Sequence, residues 1–516
     1  MRKQHAHREP YFLHTDHHNP SMEEFELIAK TFQGLEEVLA QELTEHGANN
    51  VQIGRRMVAF TGNKEMMYRA NFCLRTAVRV LKPIKHFKAN DADAVYDAVK
   101  SIDWTQYLDL HTSFSVDSVV FSDEFRHSKF VAYKVKDAIV DFFREKEGKR
   151  PNISITTPDL RLNIHIAATD CTLSLDSSGE SLHQRGYRVA TCEAPLNEVL
   201  AAGMLRLAGW DGQQDFIDPF CGSGTIAIEA ALMARNIYPG VFRKSFAFEK
   251  WKDFDAELLD RIYNDDSAER DFNHHIYAYD INRPTLEGAE RNAKSAGVAD
   301  IITFQQQDFR KFTQPEEKAL LVTNPPYGER LKPNDILGLY KAIGERLKHE
   351  FKGGEAWIIS SREECFDNIG LRPSTKIQLL NGQLDCEFRK YQMFDGKLND
   401  FRAAGGEVKT DEERRRNAEK KRNRHTDDGF RKRFSEDGDD DSEEAREYAL
   451  LRNKHREFER VYGRKKYGDN DGSDRPKRHG DERKPYGGDK KRFKGGDNKP
   501  FRGHNGGKGF GHRHND

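Results

Sequence analysis

Two stretches of the chain carry residue types and spacings that could do chemistry. The first is Asp218-Pro-Phe-Cys-Gly-Ser-Gly-Thr-Ile-Ala-Ile-Glu-Ala-Ala231. It leaves a short apolar run, Phe216-Ile217, turns through Gly222-Ser223-Gly224, and enters a stretch with apolar Ile226, Ala227, Ala230, Ala231 and Ala234. That order predicts strand, glycine loop and helix. Glycines let backbone approach a ligand and take φ values closed to other residues. The N–H groups that open a helix favour negative charge. Together these features suit a nucleotide. The second stretch is Asn324-Pro325-Pro326-Tyr327, which ends the apolar run Ala319-Leu-Leu-Val-Thr323. Its two prolines fix φ and stiffen the loop. Taken alone it is a Pro-Pro turn after a strand; the glycine loop upstream gives it more weight.

The elements around these stretches alternate. Strand candidates are Phe216-Ile217, Ile276–Tyr279, Ile301–Phe304, Ala319–Thr323 and Ala356–Ile359, with helical stretches between them. Alternation of this kind implies a mostly parallel sheet covered on both faces. Ligand then binds beyond the carboxyl ends of the strands, where both stretches lie. Lys376–Leu380 and Leu384–Phe388 flank Asn381-Gly382, a strong hairpin signal. Taken alone, the segment 239–272, with Phe246-Ala-Phe-Glu-Lys-Trp251, reads as a surface excursion with its own small apolar cluster, and its role is not written in the sequence.

The first 176 residues hold two further modules. Residues 1–22 are polar and read as a disordered leader. Residues 24–91 predict a small α+β module: strands at Phe25–Thr31, Val51–Ile53 and Met57–Phe60, and helices over Gly34–Leu43 and Glu65–Leu81. Residues 92–176 predict a strand at Phe114–Phe121 and a helix over Lys129–Lys146. They add a hairpin in which Leu160, Leu162, Ile164 and Ile166 alternate with polar residues. Between Arg126 and Arg150 there are eight Lys or Arg against four Asp or Glu. A run like this is usually a solvated helix face, and RNA binding through Arg126, Lys129, Lys134 and Lys136 is the functional reading.

With the glycine loop, the Asn-Pro-Pro-Tyr loop and these modules in view, the chain resembles the RlmL-type family of ribosomal RNA guanine-N2 methyltransferases. The likeness spans about residues 24–395. It is most specific between Ser174 and Tyr327, which includes the linker Leu175-Asp-Ser-Ser-Gly-Glu-Ser-Leu-His-Gln-Arg-Gly-Tyr-Arg188. It implies a ferredoxin-like module at 24–91, a THUMP RNA-binding domain at 92–176 and a class I, Rossmann-like α/β methyltransferase domain at 177–395. It also implies S-adenosylmethionine as cofactor, with no metal and no covalent intermediate. Carried over residue by residue, the Asn324 oxygen and the Pro325 carbonyl hold the substrate amine, Pro326 stiffens the loop and Tyr327 stacks on the base. Asp218, Gly222 and Gly224 line the cofactor, Asp280 takes the ribose hydroxyls and Asp308 sits near the adenine amine. Asp280 lies 56 positions after Gly224, against about 20 in a dinucleotide fold. The 239–272 segment accounts for the difference.

Composition completes the reading. The chain has 516 residues, 33% charged and 36% hydrophobic, with a formal net charge of −1. That sum hides an asymmetry. From Phe401 onward 33 Lys or Arg face 25 Asp or Glu, a net of +8, so residues 1–400 carry −9. Residues 405–516 are a charged low-complexity tail whose few apolar side chains predict disorder, and which reads as an RNA tether or a solubilising segment. The six cysteines are scattered, with no CxxC pair, which argues against zinc and disulfides and for a reducing compartment. No apolar signal segment follows Met1, and no run approaches the ~18 apolar residues of a membrane span. The expectation is a cytoplasmic enzyme that acts on large-subunit (23S) ribosomal RNA. The alternatives are a transfer RNA guanine-N2 methyltransferase and, from another class, a non-catalytic RNA-binding assembly factor. Removing the tail after Gly405 should leave the rest folded and lower RNA affinity at low salt, because phosphate contacts are lost. Unchanged binding of ribosomal RNA by the truncated chain, measured by filter retention, would leave the tail a solubilising segment.

Overall fold

The computed structural model describes residues 23–125, 127–191, 195–313, 319–327 and 333–393. The expected leader, Arg126 and the tail lie outside these.

The catalytic sheet has seven strands in the order Ile302–Gln306, Ile276–Asp280, Asp215–Asp218, Ala319–Thr323, Glu355–Ser360, Leu384–Gln392, Thr375–Asn381. The first five run parallel. Leu384–Gln392 is antiparallel to both of its neighbours and turns back at Asn381-Gly382. Asp215–Asp218 sits in the middle, and the chain leaves it first to one side and later to the other. Beyond its carboxyl end lies the crevice where such sheets bind ligands. The helix after it, Thr225–Ala234, is buried along its whole length. Its small alanines let it lie close against the sheet.

The other sheet has eight strands and crosses the module boundary read from the sequence. Phe25–Lys30 pairs antiparallel with Met57–Gly62 and Arg79–Lys88. Arg79–Lys88 pairs on its far edge with Asp170–Asp176, which continues the sheet through Leu160–Ala167 to Ser113–Phe121. Residues 25–176 therefore share one continuous sheet. Leu162, Ile164 and Ile166 are fully buried beneath the helix Ser128–Glu147, which turns Val131, Val135, Ile139 and Phe143 inward.

Two expectations fail here. The helix read over 65–81 is Lys64–Cys73 only, and Arg79–Lys88 is a strand. The buried Glu42 carboxylate explains the break. It accepts hydrogen bonds from the backbone N–H groups of Arg75 (2.7 Å) and Thr76 (3.0 Å), which draws the chain out of helical geometry. The 239–272 segment is not a separate surface cluster either. Phe246, Phe248, Trp251, Leu258 and Ile262 are buried in the core of the eight-stranded sheet's domain. Phe248 stacks on Tyr68 with ring centroids 4.1 Å apart, and the Asp255 N–H donates to the Tyr68 hydroxyl at 3.0 Å. At Gly240 a Cβ would meet Phe72 at 2.4 Å, so only glycine permits that approach. Hydrophobic side chains that could not close a core among themselves close one across the chain. Phe248→Ala should therefore destabilise the protein by about 3–5 kcal/mol, the cost of emptying a fully buried aromatic site. A change below about 1 kcal/mol in denaturant titration would show that this packing does not hold the two parts together.

Candidate active site

The glycine turn is fixed from both sides. The Cys221 N–H donates to the Tyr279 carbonyl of the neighbouring strand, and the Gly224 N–H donates back to the Cys221 carbonyl, both at 2.8 Å. Gly222 and Gly224 take φ of +54° and +83°, the left-handed region that favours glycine. At Gly224 a Cβ would press on Ala289 at 3.0 Å, whereas at Gly222 it would project into open space. Gly222 thus leaves backbone bare toward the crevice, as a nucleotide-sized ligand requires.

Asp218 and the Asn-Pro-Pro-Tyr loop are joined. The Thr323 hydroxyl, one residue before Asn324, donates to Asp218 Oδ1 at 2.7 Å; the Phe220 N–H donates to the same oxygen at 3.3 Å. Asp218 Oδ2 is buried without a partner, and so is Asn324 Oδ1. Burial pushes the Asp218 carboxyl up to about 7, with the Asp280 charge adding to it. Two buried acceptors without donors, at the ends of adjacent strands, fit a site that awaits a ligand with N–H or O–H groups.

Asp280 holds the turn and keeps acceptor capacity. Its Oδ2 accepts from the Gly222 N–H at 3.1 Å and its Oδ1 from the Asn282 N–H at 2.8 Å. A carboxylate oxygen can accept more than one hydrogen bond, so both remain open to ribose hydroxyls. Asp308 is less free: Arg310 pairs with its carboxylate at 3.0 Å and holds it below the usual range. Pro325 is buried and Pro326 half-buried. Tyr327 is only 8% exposed, and its hydroxyl accepts from the Asn381 side chain at 2.7 Å. It ties the loop to the edge hairpin and leaves little ring surface in the crevice. Of the basic residues expected to meet RNA, Lys134 is paired with Asp93 and Lys136 with Asp137, each at 2.6 Å. Lys129 is exposed on the same helix.

Arg188 and Asn292 were not legible as site residues. Arg188 donates to the hydroxyls of Ser223 (2.8 Å) and Thr225 (2.9 Å) and pairs with Glu198 at 2.7 Å. It bolts the glycine loop and the start of its helix to the linker. Asn292, fully buried, donates to the carbonyls of Ser223 (3.0 Å) and Ala190 (2.9 Å). Its oxygen accepts from the N–H groups of Val189 and Ala190. Both act over long sequence separations, so no local pattern marks them.

Known proteins match this arrangement along most of its described length. The chain matches the RlmL ferredoxin-like domain over residues 26–81, the THUMP domain over 89–176, and the RMKL-like methyltransferase domain over 185–390. It is 38% identical over 370 residues to a Synechocystis protein provisionally named an RNA methyltransferase, covering 71% of this chain and 96% of that one. It is 38% identical over 389 residues to the ribosomal RNA large subunit methyltransferase K/L of Vibrio campbellii, covering 74% of this chain and 55% of that protein. The chain thus spans about half the length of the K/L relatives it matches. Among solved structures, SMU.472, provisionally titled a methyltransferase and complexed with S-adenosylhomocysteine, superposes with a TM-score of 0.66 at 30% identity. The match covers 72% of this chain and 99% of SMU.472.

The raised Asp218 carboxyl has a pH consequence. Its folded value of about 7 lies above the unfolded value of about 3.9. The stability it contributes is therefore complete below about pH 4 and is lost as pH rises toward 7. Between pH 5 and 8 the wild type should lose about 2–3 kcal/mol more than Asp218→Asn, which has no proton to release. Parallel pH profiles of unfolding free energy for the two would show that Asp218 is ionised without penalty.

Proposed function

The chain belongs to the family of THUMP-domain, S-adenosylmethionine-dependent RNA methyltransferases, and on that footing we propose that it methylates the exocyclic N2 of a guanine in large-subunit ribosomal RNA. The observation that carries the reading is Asn324 Oδ1, a buried acceptor without a partner, beside the strand that leads into the glycine loop. An exocyclic amino group is a poor nucleophile because its lone pair is delocalised into the base. An acceptor fixed against its N–H groups holds the nitrogen in line and favours its pyramidal form, and positioning of this kind supplies much of the rate. In this reading the Pro325 carbonyl is the second acceptor, and Pro326 keeps the loop from giving way. The base leaves its stack to reach them.

S-adenosylmethionine supplies, when bound, an electrophilic methyl group on a cationic sulfur. Gly222 offers it bare backbone, Gly224 lets the turn close against the next helix beside it, Asp218 lines its methionine side and Asp280 takes the ribose hydroxyls. Asp308 meets the adenine amine if Arg310 yields part of the carboxylate. The anchored Tyr327 contributes to base stacking only through the ring edge left uncovered, and its firmer role is to hold the loop. Ribosomal RNA is favoured over transfer RNA because the K/L relatives carry the ribosomal large subunit in their names at 36–38% identity. Adenine-N6 methylation of DNA, which can use a similar loop, is disfavoured by the THUMP and ferredoxin-like domains. A cytoplasmic location is part of this reading, since the six cysteines are scattered with no CxxC pair.

Asn324→Ala should abolish methyl transfer while cofactor affinity stays within about twofold. The assay is transfer of labelled methyl from S-adenosylmethionine to purified ribosomal and transfer RNA. Activity of the variant equal to wild type would remove Asn324 from the chemistry. Labelling of transfer RNA alone would replace the ribosomal assignment.

A further inference from the structure

A cleft of about 750 Å³ lies where three parts of the chain meet. One wall is the loop Thr156–Pro158 with Arg161 at the start of the strand Leu160–Ala167, a second is the linker between Ser178 and Arg188, and a third is the inserted segment around Phe242–Ala247. It is separate from the Asn324 crevice but adjoins the glycine loop, because Arg188 lines it and reaches Ser223 and Thr225.

The lining is basic. Arg161, Arg185, Arg188, Arg243, Lys244 and Lys250 line it, against Glu180 and Glu198, and Arg185 is paired with the buried Glu229. Some of that charge is compensated: Arg188 pairs with Glu198 at 2.7 Å and Lys250 with Asp159 at 3.0 Å. Arg161 and Lys244 keep theirs, whereas Glu180 and Glu249 offset part of the Arg243 charge. Arg243 donates only to backbone carbonyls of Ser178, Glu180, Ser181 and Gln184. Arg161 donates to the Thr156 carbonyl at 3.1 Å. Lys244 is exposed and pairs with no carboxylate among the described residues. A concentration of uncompensated positive charge is notable where residues 1–400 together carry −9. Large apolar side chains also stand exposed next in sequence to the lining. Ile155, beside Thr156, is 83% exposed, and Val189, beside Arg188, is 64% exposed.

We propose that this cleft holds the phosphodiester backbone of the substrate RNA beside the target base, with Arg161 and Lys244 as the phosphate contacts. The inference rests on the reading of the chain as an RNA methyltransferase. Cations on separate walls suit successive phosphates better than one small anion, and the exposed apolar rim suits nucleoside faces. Arg243 keeps the linker wall in place while adding to the field. Arg188, shared with the glycine loop, puts the bound strand next to the cofactor side of the active site.

The test uses the full-length protein, Lys244→Glu and the double variant Arg161→Gln/Lys244→Gln. Binding of a fluorescein-labelled single-stranded RNA is followed against salt, and methylation of purified ribosomal RNA is followed in parallel. The expected result is a loss of RNA affinity of about 3–10-fold per contact at moderate salt, with the slope of log affinity against log salt shallower by about 0.7 for each lost phosphate. KM for RNA should rise, with kcat at saturation, S-adenosylmethionine affinity and melting temperature unchanged. An unchanged slope and KM in both variants, with wild type active, would overturn the cleft as an RNA site. If wild type methylates no RNA while the variants still lose slope, the enzymatic reading fails and the cleft stands.

Discussion

The arrangement depends on one buried ion pair. Arg185 and Glu229 are 1% and 0% exposed, with Arg185 Nε 3.5 Å from Glu229 Oε1. Tyr187 donates its hydroxyl to the same oxygen at 3.1 Å. The guanidinium also gives hydrogen bonds to the carbonyls of Leu182 and Arg75. Taking two charges out of water is costly, and a pair like this contributes little net stability. What it contributes is register. Glu229 sits on the glycine-loop helix, Arg185 on the linker and Arg75 in the eight-stranded sheet's domain. An alanine-rich helix could settle against the sheet in several rotations with similar packing. Only one of them meets Arg185, and that rotation also goes with Gly222 beside Asp280.

The cofactor loop and the Asn-Pro-Pro-Tyr loop share a similar dependence at shorter range. Thr323 and Asp218 end adjacent parallel strands, and their hydrogen bond makes the position of Asn324 a function of the strand that precedes the glycines. Tyr327 extends the linkage to the edge hairpin through Asn381. The two orphan acceptors therefore lie in a frame braced on both sides, which suits a reaction whose main demand is alignment.

What the sequence made legible was local or periodic. The catalytic strands, the glycine turn and the Asn381-Gly382 hairpin are written in neighbouring residues, and the alternation at Leu160–Ile166 marks one buried face. What it hid depends on partners far along the chain. Nothing near residue 74 tells that Glu42 will end the helix there. Lys134 looks like part of a free basic face until the fold brings Asp93 beside it. Arg188 and Asn292 look like ordinary surface residues until the fold delivers Ser223. The aromatic run at 246–251 reads as an excursion because its partner, Tyr68, precedes it by almost 180 positions.

That last contact sets an order of events in synthesis. The core of the eight-stranded domain needs Phe248 and Ile262, yet its last strand ends at Asp176. A translating ribosome must add 86 more residues, from 176 to 262, before the missing wall exists. At about 5–20 residues per second that is roughly 4–17 s. During that interval Tyr68 and Phe72 lack the side chains that cover them in the finished core. The amino-terminal half can finish folding only after part of the catalytic domain has been made.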